Sequence, residues 1–290
     1  MRTILDNALI QSVKIVPKEL LPIYATGMSS GIVVDMGNIF THITPIYNGF
    51  PFLNKTETLL MGGVELERTL KRLITNDNLL SSKKKMKNPE VFQENVISCL
   101  RDLMPRATIC LNKPMANLLK DPNEFLKIKN ESDYSKIDFY KNVPDFYLTY
   151  VSRINLGEKL FGDYRNNDVN IAYSFMQVLM RVSNEDRKKL SQNVVLCGGV
   201  SMLLGVLKRF TEEVEVLFDD PEFKLLQPIK SYFRVHKVIF PRNCLNWIGA
   251  SILSNFEKLN LNHLTLTKED MDSENAANES PLKKIFSYFK

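Results

Sequence analysis

Ile32, Val33 and Val34 form an unbroken apolar run closed by Asp35, the pattern of a short strand buried on both faces. Gly37 and Asn38 supply turn chemistry, and 40–47 returns as a second strand rich in β-branched and aromatic residues. Leu59-Leu60-Met61 reads as a further short strand closed by Gly62-Gly63. Leu66, Leu70, Leu73 and Ile74 then repeat at helical spacing along one face. Asn88-Pro89-Glu90 is a helix start: a capping side chain, proline at the first helical position and an acid at the positive end of the dipole. Phe92, Val96, Cys99, Leu100 and Leu103 make the buried face of that helix.

From 105 to 150 the pattern blurs, with prolines 105, 114, 122 and 144, and the expectation is an irregular peripheral lobe. Periodicity returns at Ile171, Phe175, Val178, Leu179 and Val182, and Ser183 with Asp186 predicts a capping box for a short helix ending near Asn193. A buried strand at 194–197 is followed by Gly198-Gly199 and a helix marked by Leu203, Leu207, Phe210, Val214 and Leu217. Residues 232–240 read as a strand, and Asn243 caps a last helix with Ile248, Ile252, Phe256 and Leu259 on its buried face. Thr265 to Pro281 is polar and acidic, the composition of a disordered tail; Leu282 to Lys290 has the choice of a docking helix or a frayed end. Strands alternating with helices predict an α/β fold.

With 290 residues, 44% of them hydrophobic, the chain can bury a core large enough for two lobes. A formal charge of +5 is mild, and the run Lys83-Lys84-Lys85 with Lys87 has no interleaved aromatic residue, so it reads as a solvated loop and no nucleic-acid partner is expected. The four cysteines (Cys99, Cys110, Cys197, Cys244) lack metal-binding spacing and the three histidines stand apart, so neither a metal site nor a disulfide framework is expected. Arg2, Asp6, Lys14, Lys18 and Glu19 make the first residues too polar for a signal peptide, and no apolar run reaches about 18 residues. The expectation is a reduced, intracellular, soluble protein without membrane insertion.

Two stretches carry candidate chemistry: Gly31 to Gly49 and Val194 to Gly205. Each is a short buried strand ending in a carboxylate or in glycines, where a phosphate or a sugar edge can approach backbone. Asp35-Met-Gly-Asn38 is equally the pattern of an ordinary tight hairpin, and Gly198-Gly199 equally serves as punctuation between strand and helix.

In this order, and with Trp247-Ile-Gly-Ala-Ser-Ile252 near the end, the stretches resemble the actin superfamily. Gly31 to Gly63 is similar to its second phosphate-binding hairpin and next strand, and Gly198 to Met202 to its adenosine-side loop. Pro45 to Asn54, Asp186 to Leu190, Asn193-Val-Val, Phe233 to His236 and Asn243-Cys244 resemble one branch, the actin-related proteins at the pointed end of dynactin. The resemblance implies an actin-like α/β fold with an incomplete first lobe, since nothing here corresponds to the family's first phosphate hairpin. It divides the chain into 1–25 with 241–263 as the first-lobe remnant, 26–61 with 167–240 as the second-lobe core, 62–166 as a peripheral lobe and 264–290 as a disordered tail.

The resemblance also implies a nucleotide site. Asp35 would be the cation-side carboxylate, Gly37 would let backbone approach phosphate, and Gly198 and Gly199 would let adenosine pack on main chain, the cofactor being ATP or ADP with magnesium. The pattern is degenerate: Asn38 and Ile39 stand where the family has aspartate and glycine, and Lys18 where it has the water-orienting glutamine. His42 matches a family histidine near that water, Leu203 replaces the tyrosine against the base, and Asn243 replaces a lysine. The expected outcome is a non-enzymatic, cytoplasmic and cytoskeletal protein whose partners are the actin-related filament subunit and other pointed-end subunits of dynactin. An ATPase or sugar-kinase-like enzyme, or a nuclear actin-related protein, is the alternative.

Overall fold

The central strand owes its position to the run of apolar residues predicted to be buried on both sides. In a computed structural model, which describes residues 12–80, 100, 102–118, 121, 148–255 and 265–267, strand β2 (Gly31–Met36) is buried at all six positions. It pairs antiparallel with β3 (Thr41–Tyr47) and parallel with β6 (Val194–Cys197). Outside β3 lies the two-residue β4 (Phe50–Pro51), and β5 (Glu57–Leu59) also pairs with β3, completing a mixed five-stranded sheet.

Alternation along β2 divides two cores. Ile32, Val34 and Met36 face a large cluster, and Val33 faces a smaller one with Leu20, Ile23, Ile46, Val195, Cys197 and Leu245. The large cluster is closed by α2 (Gly63–Leu80), α4 (Tyr150–Glu158), α5 (Ile171–Arg181) and α7 (Val206–Leu217), with α3 (Lys113–Leu118) against α7 and α6 (Asn184–Ser191) against β2 and β3. Phe175 of α5 meets Phe210 of α7 edge-on at 5.5 Å, an arrangement that aligns ring edge and face.

The smaller core is closed by α1 (Leu21–Ala25) and α8 (Leu245–Asn255). Their backbones nearly touch: a β-carbon at Gly249 would lie 1.8 Å from the Leu21 carbonyl oxygen. The buried stripe of α8 is therefore Leu245, Gly249 and Leu253. The predicted face of Ile248 and Ile252 is only half-buried, because the close contact with α1 turns the helix onto its glycine. Phe256 and Leu259 lie outside the described residues.

Three other expectations change. The strand predicted over 59–61 runs from Glu57 to Leu59, since pairing with β3 ends where Gly62 closes on Asn38; Leu60 is then exposed and Met61 buried. The strand predicted over 232–240 reduces to a bridge between Val235 and Val194 after 3-10 turns from Pro221 to Tyr232. Backbone bonds tie Arg234 and His236 to Val194, and Arg242 to Gly198; Ile239 between them is 94% exposed. Within the expected tail, β7 (Thr265–Thr267) pairs antiparallel with β1 (Ser12–Lys14), as a β-branched alternating triplet can.

The helix start at Asn88, the face from Phe92 to Cys99, the irregular stretch at 122–147 and the tail from 268 lie outside the described residues. Residues 102–107 and, within 105–150, α3 are helical, and Leu100 and Leu103 are buried as predicted. At α6, the Ser183 hydroxyl donates to the Asp186 carboxylate and caps no backbone N–H, so a bond between side chains replaces the predicted capping box. Among the described residues no helix is long and apolar enough to cross a membrane.

Candidate functional site

Asp35 is the last residue but one of β2 and shares the face of Val33, which turns its carboxylate toward α1 and away from the large core. Its cross-strand neighbours are His42 on β3 and Cys197 on β6. The carboxylate is 5% exposed, and its Oδ2 takes the Lys18 ammonium at 3.0 Å. Lys18 opens a single 3-10 turn anchored by Leu20 and, in the helix that follows, Ile23 in the smaller core, so that packing delivers the ammonium to the end of the sheet.

The other carboxylate oxygen lies against Gly198, whose φ of +86° suits glycine. A β-carbon there would lie 2.7 Å from Asp35 Oδ1 and 2.4 Å from the Met36 carbonyl oxygen. The Ser201 hydroxyl donates to the Gly198 carbonyl at 2.7 Å, and the Arg242 guanidinium donates twice to the Ser201 carbonyl, at 2.8 and 3.1 Å. Burial holds the Cys197 thiol well above its usual pKa, and the charge of Asp35 and a hydrogen bond to it add to the rise.

Gly37 does what an ordinary hairpin requires. Its N–H donates to the Phe40 carbonyl at 3.0 Å, and a β-carbon would lie 2.9 Å from that oxygen. The N–H groups of Gly63 and Val64, at the start of α2, donate to the carbonyls of Gly37 and Asn38, so the hairpin caps the helix. Ile39 at the tip is exposed, and Gly199 faces open space. His42 Nδ1 sits 3.0 Å from the Thr58 hydroxyl; burial, then the charge of Lys18, lowers its pKa.

The structure thus brings Asp35, Gly37 and Gly198 to one end of the sheet together with Lys18, His42 and Cys197. The donor set does not fit a magnesium ion at Asp35. Magnesium demands near-octahedral oxygen ligands and retains several waters. Here one carboxylate oxygen is covered by Gly198 and the other is held by an ammonium. Among the described residues no group of three metal-ligating side chains exists. Leu203, at the position implied for a base-stacking residue, is buried in the large core, and Asn243 is exposed.

Sequence reasoning missed a second polar centre. Arg209 on α7 is 2% exposed and makes a bidentate pair with Glu158 at 2.7 and 2.8 Å. Its Nε donates to Glu213 at 2.8 Å and Nη1 to the Leu111 carbonyl at 3.1 Å. Lys113 reaches Glu213 at 2.6 Å, and the Arg209 guanidinium lies over the Phe161 ring at 5.3 Å. Arg209, Glu158, Glu213, Lys113 and Phe161, with Arg72 and Tyr164, line a cavity of about 860 Å³. The available signal was the stripe Val206, Arg209, Phe210, Glu213, Val214, Leu217, in which two charged residues occupy inward positions.

Comparison with known proteins agrees with this architecture. The profile of the family described as Actin matches residues 1–277. Actin-related protein 10 of Dictyostelium discoideum is 26% identical over 250 residues, covering 78% of this chain and 52% of that protein. Actin-like protein 9 of Homo sapiens is 25% identical over 238 residues, covering 82% and 50% respectively. Actin-like protein 7A of Rattus norvegicus is 22% identical over 248 residues, covering 82% and 47%. The chain spans about half the length of these relatives. Matched from residue 1 to 277 and built on the α/β sheet its strands predict, the chain belongs to the actin family.

Proposed function

We propose that this chain is a structural, non-hydrolysing actin-related subunit of dynactin. It caps or bridges the pointed end of the complex's actin-like filament in dynein-driven, microtubule-based transport. Its setting is the cytoplasm and cytoskeleton, and its partners are the actin-related filament subunit and the other pointed-end subunits. The observation that carries the absence of turnover is the Lys18 ammonium on Asp35. Nucleotide hydrolysis needs an oriented water and electrostatic stabilisation of the transferring phosphoryl group. A charged lysine accepts no proton from water.

The assignment to dynactin is supported by the ordered resemblance of Pro45 to Asn54, Asp186 to Leu190 and Phe233 to His236 to that branch. The similarity to Actin-related protein 10 of Dictyostelium discoideum supports it further. The test is gentle purification of the chromosomally tagged protein followed by mass spectrometry. Co-purification of dynactin subunits is the expected result; recovery with chromatin proteins alone would overturn the assignment.

A further inference from the structure

We propose that the Lys18 ammonium is a tethered cation standing where a divalent metal would bind at Asp35, so that the site supplies its own positive charge and is closed to magnesium. A carboxylate as buried as Asp35 needs a cationic or hydrogen-bonding partner. Lys18 provides one at 3.0 Å from a side chain that is itself 50% exposed. The turn that carries Lys18 is fixed by Leu20 and, through the helix that follows, by Ile23 in the smaller core.

A metal would have to expel that ammonium and then find further ligands. Glu19 neighbours Lys18, and His42 and Cys197 flank Asp35 across the sheet. The thiol is fully buried and the imidazole is engaged with Thr58, which leaves Asp35, one oxygen of it held by Lys18, and Glu19, whose charge reaches His42 and Cys197. Magnesium held by one carboxylate needs substrate phosphates and water for the rest of its shell. The phosphate of a nucleotide arriving here meets an ammonium, and its binding is therefore independent of magnesium. The tether also joins the turn before α1 to the sheet. This inference concerns the charge at Asp35 and stands apart from the identity of the protein's partners.

The test is thermal unfolding of the whole chain with ATP, in either EDTA or magnesium chloride. The parent and Lys18→Arg should unfold at the same temperature in both. Lys18→Met should unfold earlier in EDTA and gain about 2–4 °C in magnesium, and Lys18→Met with Asp35→Asn should lose that gain. A magnesium-dependent rise in the parent that Asp35→Asn removes would overturn the proposal. So would a folded Lys18→Met protein that responds to magnesium no more than the parent. Should Lys18→Met fail to fold, manganese titration of the parent and of Asp35→Asn, followed by electron paramagnetic resonance, decides. No bound manganese in either supports the tether, and Asp35-dependent binding in the parent overturns it.

Discussion

Two ion-paired centres sit in this fold, and they are built differently. Arg209 is enclosed, with four hydrogen bonds to three partners and an aromatic face, and it joins α7 to α4 and to the chain before α3. Asp35 is equally buried but has a single ionic partner, whose side chain is half-exposed. The first centre is a strut: removing its hub leaves the buried Glu213 with Lys113 alone and the partly exposed Glu158 without its bidentate partner. The second lies at the end of the sheet, where a more exposed group can be exchanged. Burial of the acid alone does not distinguish them; the exposure and number of its partners do.

The largest effect should come from breaking the strut. Arg209→Met leaves Glu158 and Glu213 without their guanidinium and should cost about 3–5 kcal/mol in urea unfolding. A loss below about 1 kcal/mol would remove the distinction between the two centres. Next is Gly198→Ala, which forces a β-carbon against the Met36 carbonyl at φ +86° and should cost about 2–3 kcal/mol. A neutral result there would mean that Asp35 is less tightly enclosed than described.

Lys18→Met should cost about 1 kcal/mol, well below Arg209→Met, because solvent screens the exposed partner. The same urea measurement compares the two variants directly. A smaller effect concerns acid. The folded-state pKa of His42 is lowered below its ordinary value. Between the two values the unfolded chain binds more protons, so the contribution of His42 to stability is complete above the ordinary histidine pKa. That contribution declines as pH falls toward the folded value. His42→Asn should flatten the loss of stability between about pH 6.5 and the folded pKa, and an unchanged slope would place the titrating group elsewhere.

How much of this was legible in the sequence depends on how local each signal is. β2 and β6 are buried on both faces, so their apolar runs announce them without reference to partners. The turn at Gly37 and the close approach at Gly198 were legible as glycine positions, although the neighbours proved to be the chain's own Phe40, Met36 and Asp35. The pair of Lys18 with Asp35 was not readable from spacing. The resemblance placed Lys18 near the site, but only packing of the turn on the smaller core sets their separation. The Arg209 centre was missed because charged residues on an apolar stripe look like interruptions until their partners from α4 and the chain around α3 are known. The strand expected at 232–240 failed because alternation predicts a face to bury, and Ile239 finds none.

We propose an actin-family site that keeps its carboxylate and sheet but turns over no nucleotide. The most direct measurement is phosphate release from ATP in magnesium by the purified chain and by Asp35→Asn. The account predicts that the two are indistinguishable from buffer. Steady release by the parent that Asp35→Asn abolishes would contradict it and make Asp35 a participant in catalysis.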